Sequence, residues 1–118
     1  MFTGIVQACV PVMKIKKEPG LCTITLKFPE HLIDGLQHSA SVAVDGVCLT
    51  VIDIHDKEVG FDVMMETLRC TTLGAVAEDD RVDVERAIRM GDDVGGHVLS
   101  GHIHTMIEIV EITQLENN

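Results

Sequence analysis

The chain has no tryptophan, no tyrosine and only three phenylalanines. A ring ligand therefore cannot be stacked between Trp or Tyr faces. Any grip on a small molecule must come from backbone amides, small polar groups and aliphatic side chains. Basic residues are scarce as well: 9 Lys and Arg stand against 19 Asp and Glu, for a net charge of −10. Nucleic acid is a poor partner for such a surface, because its phosphates are repelled; the acidity itself serves solubility. No apolar run is long enough to cross a bilayer, so no membrane partner is expected. The start, Met1-Phe2-Thr3-Gly4-Ile5-Val6, lacks the basic and apolar regions of a secretory leader, and a cytoplasmic location is the expectation. Cys9, Cys22, Cys48 and Cys70 lie far apart with no C-x-x-C pair, which favours reduced thiols over a disulfide framework.

What is present is enough for one domain with a single core: 118 residues, 46% of them hydrophobic. Val10 to Lys16 and Cys22 to Phe28 read as strands parted by a turn at Pro19-Gly20. Cys22 to Phe28 alternates apolar and polar side chains throughout, the pattern of a half-buried strand. Pro29 opens a short helical turn over Glu30 to Leu36. Ser41 to Val44 and Val47 to Ile54 bracket Asp45-Gly46, a favoured two-residue hairpin turn. A polar loop, His55 to Glu58, leads to a strand over Val59 to Val63, then a short helix over Met64 to Thr72 closed by Leu73-Gly74. Arg81 to Arg86 alternates again, with Val82 and Val84 inward, and a last β-rich run spans Ile103 to Ile112. About six or seven short strands, tight turns and no helix–strand alternation predict an antiparallel, Greek-key barrel rather than a parallel α/β sheet.

Three segments combine glycine with polar side chains in a way a small core does not require: Met1 to Val6, Asp45 to Thr50 and Gly95 to Ile103. Glycine lets a backbone approach another group closely, and His, Ser and Thr supply donors and acceptors there. Cys48 is either a small buried hydrophobe or a pocket thiol. Thr50, two residues on, shares its strand face. His102 and His104 would also share a face if their run is extended, but His-x-His without a third nearby ligand is a weak metal signal. His97, after two glycines, reads as pocket lining. Gly95-Gly96 and Gly101 match neither G-x-G-x-x-G nor a P-loop, which would need its lysine. Met64-Met65 suits a core or a pocket, and Glu66-Thr67 either caps the second helix or offers polar contacts to a ligand.

Five blocks then resemble riboflavin synthase, in order along the chain. They are Met1-Phe2-Thr3-Gly4-Ile5-Val6; Ser41-Val42-Ala43-Val44-Asp45-Gly46-Val47-Cys48-Leu49-Thr50-Val51; Phe61-Asp62-Val63-Met64-Met65-Glu66-Thr67-Leu68 with Thr72-Leu73-Gly74; Val82-Asp83-Val84-Glu85-Arg86-Ala87; and Gly95-Gly96-His97 with Ser100-Gly101-His102. The resemblance implies an all-β fold, a six-stranded antiparallel Greek-key barrel with one or two short helices. It implies a barrel over residues 1–97 and, over 98–118, a final strand region and the start of a linker to a second repeat that this chain does not hold. Asp45 stands where family members usually have Asn, and both suit a tight turn.

The family's enzyme carries two such barrels per chain, works as a trimer, and dismutates two molecules of 6,7-dimethyl-8-ribityllumazine to riboflavin and 5-amino-6-ribitylaminouracil. The resemblance implies no metal or other cofactor, with riboflavin bound as product. Carried over by position, the lumazine site comprises Gly4, Ile5 and Val6; Cys48, Leu49 and Thr50; Asp62, Val63, Met64, Met65, Glu66 and Thr67; and Gly101, His102 and Ile103. It places His102, Cys48, Ser41, His97, Phe2 and Thr50 near the chemistry, with His102 assisting proton transfer and Cys48 or Thr50 positioning the nucleophile. A single barrel is expected to bind ligand with little or no turnover, and to pair with itself as a homodimer through the apolar surface a tandem partner would cover. The alternative within the superfamily is a non-catalytic lumazine- or flavin-binding protein. A flavin-reductase barrel would need an Arg-x-Tyr/Phe-Ser/Thr motif, which the sequence lacks.

Overall fold

A computed structural model describes residues 1–116. Its elements are β1 (Ala8–Glu18), β2 (Leu21–Lys27), α1 (Glu30–Ile33), β3 (Ser41–Val44), β4 (Val47–His55), β5 (Glu58–Met64), α2 (Met65–Cys70), a 3-10 turn (Thr72–Ala75) and β6 (Arg81–Arg86). Every strand pairs antiparallel with both neighbours, in the closed order β1-β2-β5-β4-β3-β6. The predicted six-stranded Greek-key barrel is the fold observed.

The period-two pattern fills the barrel. Val10 and Val12, Ile24 and Leu26, Val42 and Val44, Leu49 and Val51, Phe61 and Val63, and Val82 and Val84 all point inward and are buried. Phe28 and Phe61 meet there with ring centroids 6.3 Å apart. Closure is secured by β-branched side chains that suit a pleated, half-buried surface. At the β3–β4 hairpin both turn residues have positive φ, Asp45 at 48° and Gly46 at 81°, the mirror-image turn that matches strand twist. The Asp45 side chain also works across the barrel. Its Oδ1 accepts the Asp83 amide at 2.8 Å while the Asp45 amide donates to the Asp83 carbonyl at 2.8 Å, tying the hairpin tip to β6.

The helical turn predicted over Glu30 to Leu36 ends at Ile33, where Asp34 turns extended (φ −61°, ψ 124°), and two further expectations differ more from the structure. The helix predicted over Met64 to Thr72 stops at Cys70, because Thr71 turns extended (φ −132°, ψ 167°). Its hydroxyl donates to the Thr67 carbonyl at 2.6 Å and accepts the Leu73 amide at 3.3 Å, ending one helical segment and starting the 3-10 turn. Gly74 belongs to that turn, and a Cβ on it would run into the Leu68 carbonyl. The second difference is larger. The β-rich run Ile103 to Ile112 forms no strand among the described residues, and its apolar side chains lie open, Ile107 at 87% exposure and Val110 at 91%. A strand needs an edge, and β1 on β6 closes the barrel, so no edge is left for a seventh. High β propensity alone does not make a strand.

Candidate functional site

The chain outside the barrel's strands is fastened to it by a few backbone bonds. Ala87 donates to the Ser41 carbonyl at 3.1 Å and Ile88 to the Met1 carbonyl at 2.9 Å. Phe2 and Leu99 form an isolated antiparallel bridge in which each amide donates to the other's carbonyl at 2.8 Å. The His97 amide donates to the Thr3 carbonyl at 3.1 Å. Segments 2–6 and 95–101 therefore lie against each other over the outer side of the barrel, meeting Glu85 of β6 and Cys48 of β4.

Between them and the barrel sits Glu85, which alternation along β6 assigns to the outer face. It is nonetheless buried, at 6% exposure, because the N-terminal segment folds over it. Its carboxylate accepts three bonds, from the Thr3 amide and hydroxyl at 2.7 Å each and from the Gly4 amide at 3.0 Å. A buried carboxylate without such donors would be strongly unfavourable. Nothing in the local pattern marks Glu85; only the return of residues 1–6 over β6 does.

The ligand segments predicted from the sequence converge in part. The register of β4 on β5 ends at Val51 and Phe61. Beyond that pair Cys48, Leu49 and Thr50 are registered with β3, and Asp62, Val63 and Met64 with β2. On the outer face this leaves Cys48 half-buried and Thr50, Asp62 and Met64 exposed, with Met65 and Glu66 following at the start of α2. Gly101 closes the other side. Its carbonyl accepts the Cys48 amide at 2.8 Å, and a Cβ there would lie 2.8 Å from the Cys48 Cβ, 3.0 Å from its nitrogen and 3.1 Å from the Phe2 ring. With φ at +78°, position 101 requires glycine for packing and for backbone conformation alike. His102 is exposed just beyond, its amide held by Ser100 Oγ at 3.1 Å. The outer face next to Cys48 is thus bounded by residues 48–50 of β4 and by Gly101, with residues 62–67 continuing β5 into α2 beyond its last pair with β4.

Other predicted residues sit elsewhere. The side chains of Leu49 and Val63 point into the core, at 5% and 1% exposure, so they present only backbone to that face. Phe2, at 2% exposure, is a packing residue beneath Gly101. Gly4 is held by Glu85 and Leu99 and Ile5 lies against Gly96, while Val6 is exposed: a Cβ on Gly4 would lie 2.9 Å from Leu99 Cδ1, and one on Gly96 would lie 3.4 Å from Ile5 Cγ1. Ser41 is registered with Thr50 and half-buried, and His97 is exposed.

The electrostatics of the face are polar and mild. Asp62 Oδ1 accepts the Thr23 hydroxyl at 2.8 Å, and Glu66 pairs with Arg69 in the open. The hydrogen bond that Arg69 donates to the Glu66 carboxylate, more than the Glu66 charge, raises the Arg69 guanidinium pKa. Arg86, whose pKa is lowered chiefly by burial, donates to the Leu32 and Asp34 carbonyls at 3.2 and 2.7 Å and holds α1 to the barrel away from the face. Among the described residues no three His, Cys, Asp or Glu converge as metal ligands would, and no helix is long and apolar enough to cross a membrane. A cavity of about 550 Å³ lies between the β1–β2 turn and α2, and shares only Met65 and Glu66 with the face.

Comparison with known proteins decides the family. The model of the lumazine binding domain matches residues 3–87. The chain belongs to the lumazine-binding domain family. Riboflavin synthase of Escherichia coli (strain K12) is 48% identical over 118 residues, covering 100% of this chain and 55% of the relative. That of Chlamydia pneumoniae is 40% identical over 114 residues, covering 97% and 57%. The chain thus spans about half the length of the curated relatives it matches. Among solved structures, LumP complexed with 6,7-dimethyl-8-(1'-D-ribityl) lumazine superposes with a TM-score of 0.84 at 27% identity, covering 99% of this chain and 64% of that one. LumP complexed with riboflavin superposes with a TM-score of 0.80 at 28% identity, covering 89% and 56%.

Proposed function

We propose that this lumazine-binding barrel holds one molecule of 6,7-dimethyl-8-ribityllumazine, or riboflavin as product, on the outer face formed by Cys48–Thr50, Asp62–Thr67 and Gly101–Ile103, as one half of a riboflavin synthase site. The observation that carries the reading is the docking of Gly101 on Cys48, which brings two chain segments far apart in sequence onto one face. The face suits the ligand. Imide and carbonyl groups of a pteridine match backbone donors and acceptors, and ribityl hydroxyls match Thr50, Glu66 and Thr67. No metal or other cofactor is called for.

The reaction joins two lumazines. One loses a proton from its 7-methyl group, which the electron-poor ring makes acidic; the other is attacked at C7; a four-carbon unit then passes across, giving riboflavin and 5-amino-6-ribitylaminouracil. His102, exposed at the rim of the face, assists the proton transfer, and Cys48, Thr50 and Ser41 position the nucleophile at C7. His97 lies on the lip that meets the second ligand. Phe2 acts through Gly101, which it supports. Most of the rate comes from holding two rings face to face. One barrel offers one such face, so this chain alone binds ligand and turns it over slowly or not at all.

Titration with lumazine and with riboflavin, read by ligand fluorescence and followed by an assay of riboflavin formation, tests this. Saturable binding with negligible turnover is expected. Absence of binding to both ligands rejects the reading; turnover at an ordinary enzymatic rate rejects the half-site part of it.

A further inference from the structure

β1 changes its inward parity part-way along. Val10 and Val12 point into the barrel, but the register on β2 shifts between Val12 and Lys14. Such a bulge moves the next residues to the opposite face. Ile15 then stands opposite Ile24, and Lys17 opposite Cys22. Directly opposed residues project to the same side of the sheet, and Ile24 and Cys22 are both buried. A lysine therefore occupies the last inward position of β1, at the mouth of the barrel.

That mouth is not filled. α2 packs on β5 and the 3-10 turn, and a cavity of about 550 Å³ is left between it and the β1–β2 turn. The floor is Cys22, Ile24 and Leu73, all buried. The walls are Ile15, Leu21, Leu68 and Val76, each only half-buried. Small-molecule pockets commonly enclose roughly 300–1,000 Å³ behind such apolar walls. Charge gathers at the rim. Glu18 is paired with Lys16 at 3.1 Å and Glu66 with Arg69, whereas Lys17 has no carboxylate partner among the described residues. The Lys17 charge nevertheless reaches into the cavity, where it acts on the Cys22 thiol.

We propose that this mouth is a second small-molecule site, separate from the lumazine face, for an apolar monoanion: a medium-chain carboxylate whose hydrocarbon lies against Ile24, Leu68 and Leu73 and whose head pairs with Lys17. A lysine stem lies along apolar surface while its ammonium meets an anion, so one residue serves both ends of such a ligand. A ribityl chain does not suit the same space, because its hydroxyls would be buried against aliphatic walls without partners. Met65 and Glu66 touch both sites, but from the outer end of α2. The proposal is independent of the lumazine reading. A chain that takes the carboxylate and not lumazine loses only that reading, and the reverse also holds.

Methyl-resolved NMR of the full chain, titrated with octanoate and with octanol as its neutral counterpart, tests this. Octanoate should shift the Ile15, Ile24, Leu68 and Leu73 methyls saturably and bind more tightly than octanol. Lys17→Gln alters an exposed side chain and should leave the fold intact. It should weaken octanoate at least fivefold and leave octanol unchanged. Ile15→Phe, which fills the mouth from its half-buried wall, should weaken both. Saturating lumazine should leave octanoate affinity within twofold. No saturable shift by about 10 mM octanoate overturns the proposal. So do shifts confined to the exposed residues 103–112, an equal effect of Lys17→Gln on both probes, or displacement of octanoate by lumazine.

Discussion

Glu85 and Thr3 meet through a single carboxylate oxygen: Glu85 Oε2 accepts both the Thr3 amide and the Thr3 hydroxyl, each at 2.7 Å, while Oε1 takes the Gly4 amide at 3.0 Å. The N-terminal segment is thereby held over β6 by a charge-assisted contact. Glu85→Ala should cost about 2–4 kcal/mol of stability, since three donors lose a charged partner at a buried site. The loss should appear in urea unfolding and as faster hydrogen exchange at Thr3 and Gly4. Unchanged exchange at both amides would refute the anchoring role.

Thr50 offers its hydroxyl on the open face beside Cys48 and across from Ser41. Thr50→Val keeps the shape and removes the donor. Lumazine affinity should fall about tenfold, the worth of one good hydrogen bond, with stability changed by no more than about 0.5 kcal/mol. Fluorescence titration and thermal unfolding of the same sample separate the two effects; equal affinity would exclude Thr50 from the site.

At Asp45, burial raises the carboxyl pKa above its ordinary value, against the lowering effect of the hydrogen bond from the Asp83 amide and with a further rise from the Asp83 charge. The folded state then holds the Asp45 proton more tightly than the unfolded chain does. Stability from this group is fully present below the unfolded pKa of 3.8 and is lost as pH rises through the raised folded value. Asp45→Asn keeps the Oδ1 acceptor and tolerates the positive φ. It should stabilise the barrel modestly at pH 7 and make little difference at pH 3. Thermal midpoints at the two pH values check this, and a larger gain at pH 3 would contradict it.

Cys22 lies inside the barrel wall at 2% exposure, and burial pushes its thiol pKa up, against a smaller lowering by Lys17. Cys9 is exposed. Under native conditions at pH 8 a maleimide should label Cys9 within minutes and Cys22 only as fast as the barrel opens. Peptide mass analysis after timed quenching reads both sites, and comparable rates would mean a barrel far looser than its packing implies.

Sequence alone was sufficient for the barrel. Period-two alternation in Cys22–Phe28 and Arg81–Arg86, the Asp45-Gly46 turn and the absence of helix–strand alternation are local signals, and antiparallel strands joined by tight turns leave few ways to close a sheet. Family blocks pointed to the ligand segments, and short-range geometry accounts for Thr50, Asp62 and Met64 facing outward. What the pattern could not carry was anything set by long-range contact. Ile103 to Ile112 has strand propensity and no strand, because pairing depends on a free edge and the closed barrel has none. Glu85 has outward parity and is buried, because residues 1–6 return over it from 82 positions away along the chain. Leu49 and Val63 belong to ligand segments yet face the core, since neighbouring strand residues must point to opposite sides. Gly101 is a glycine because Cys48 and Phe2 occupy the space its side chain would need, and only the tertiary structure brings those three together.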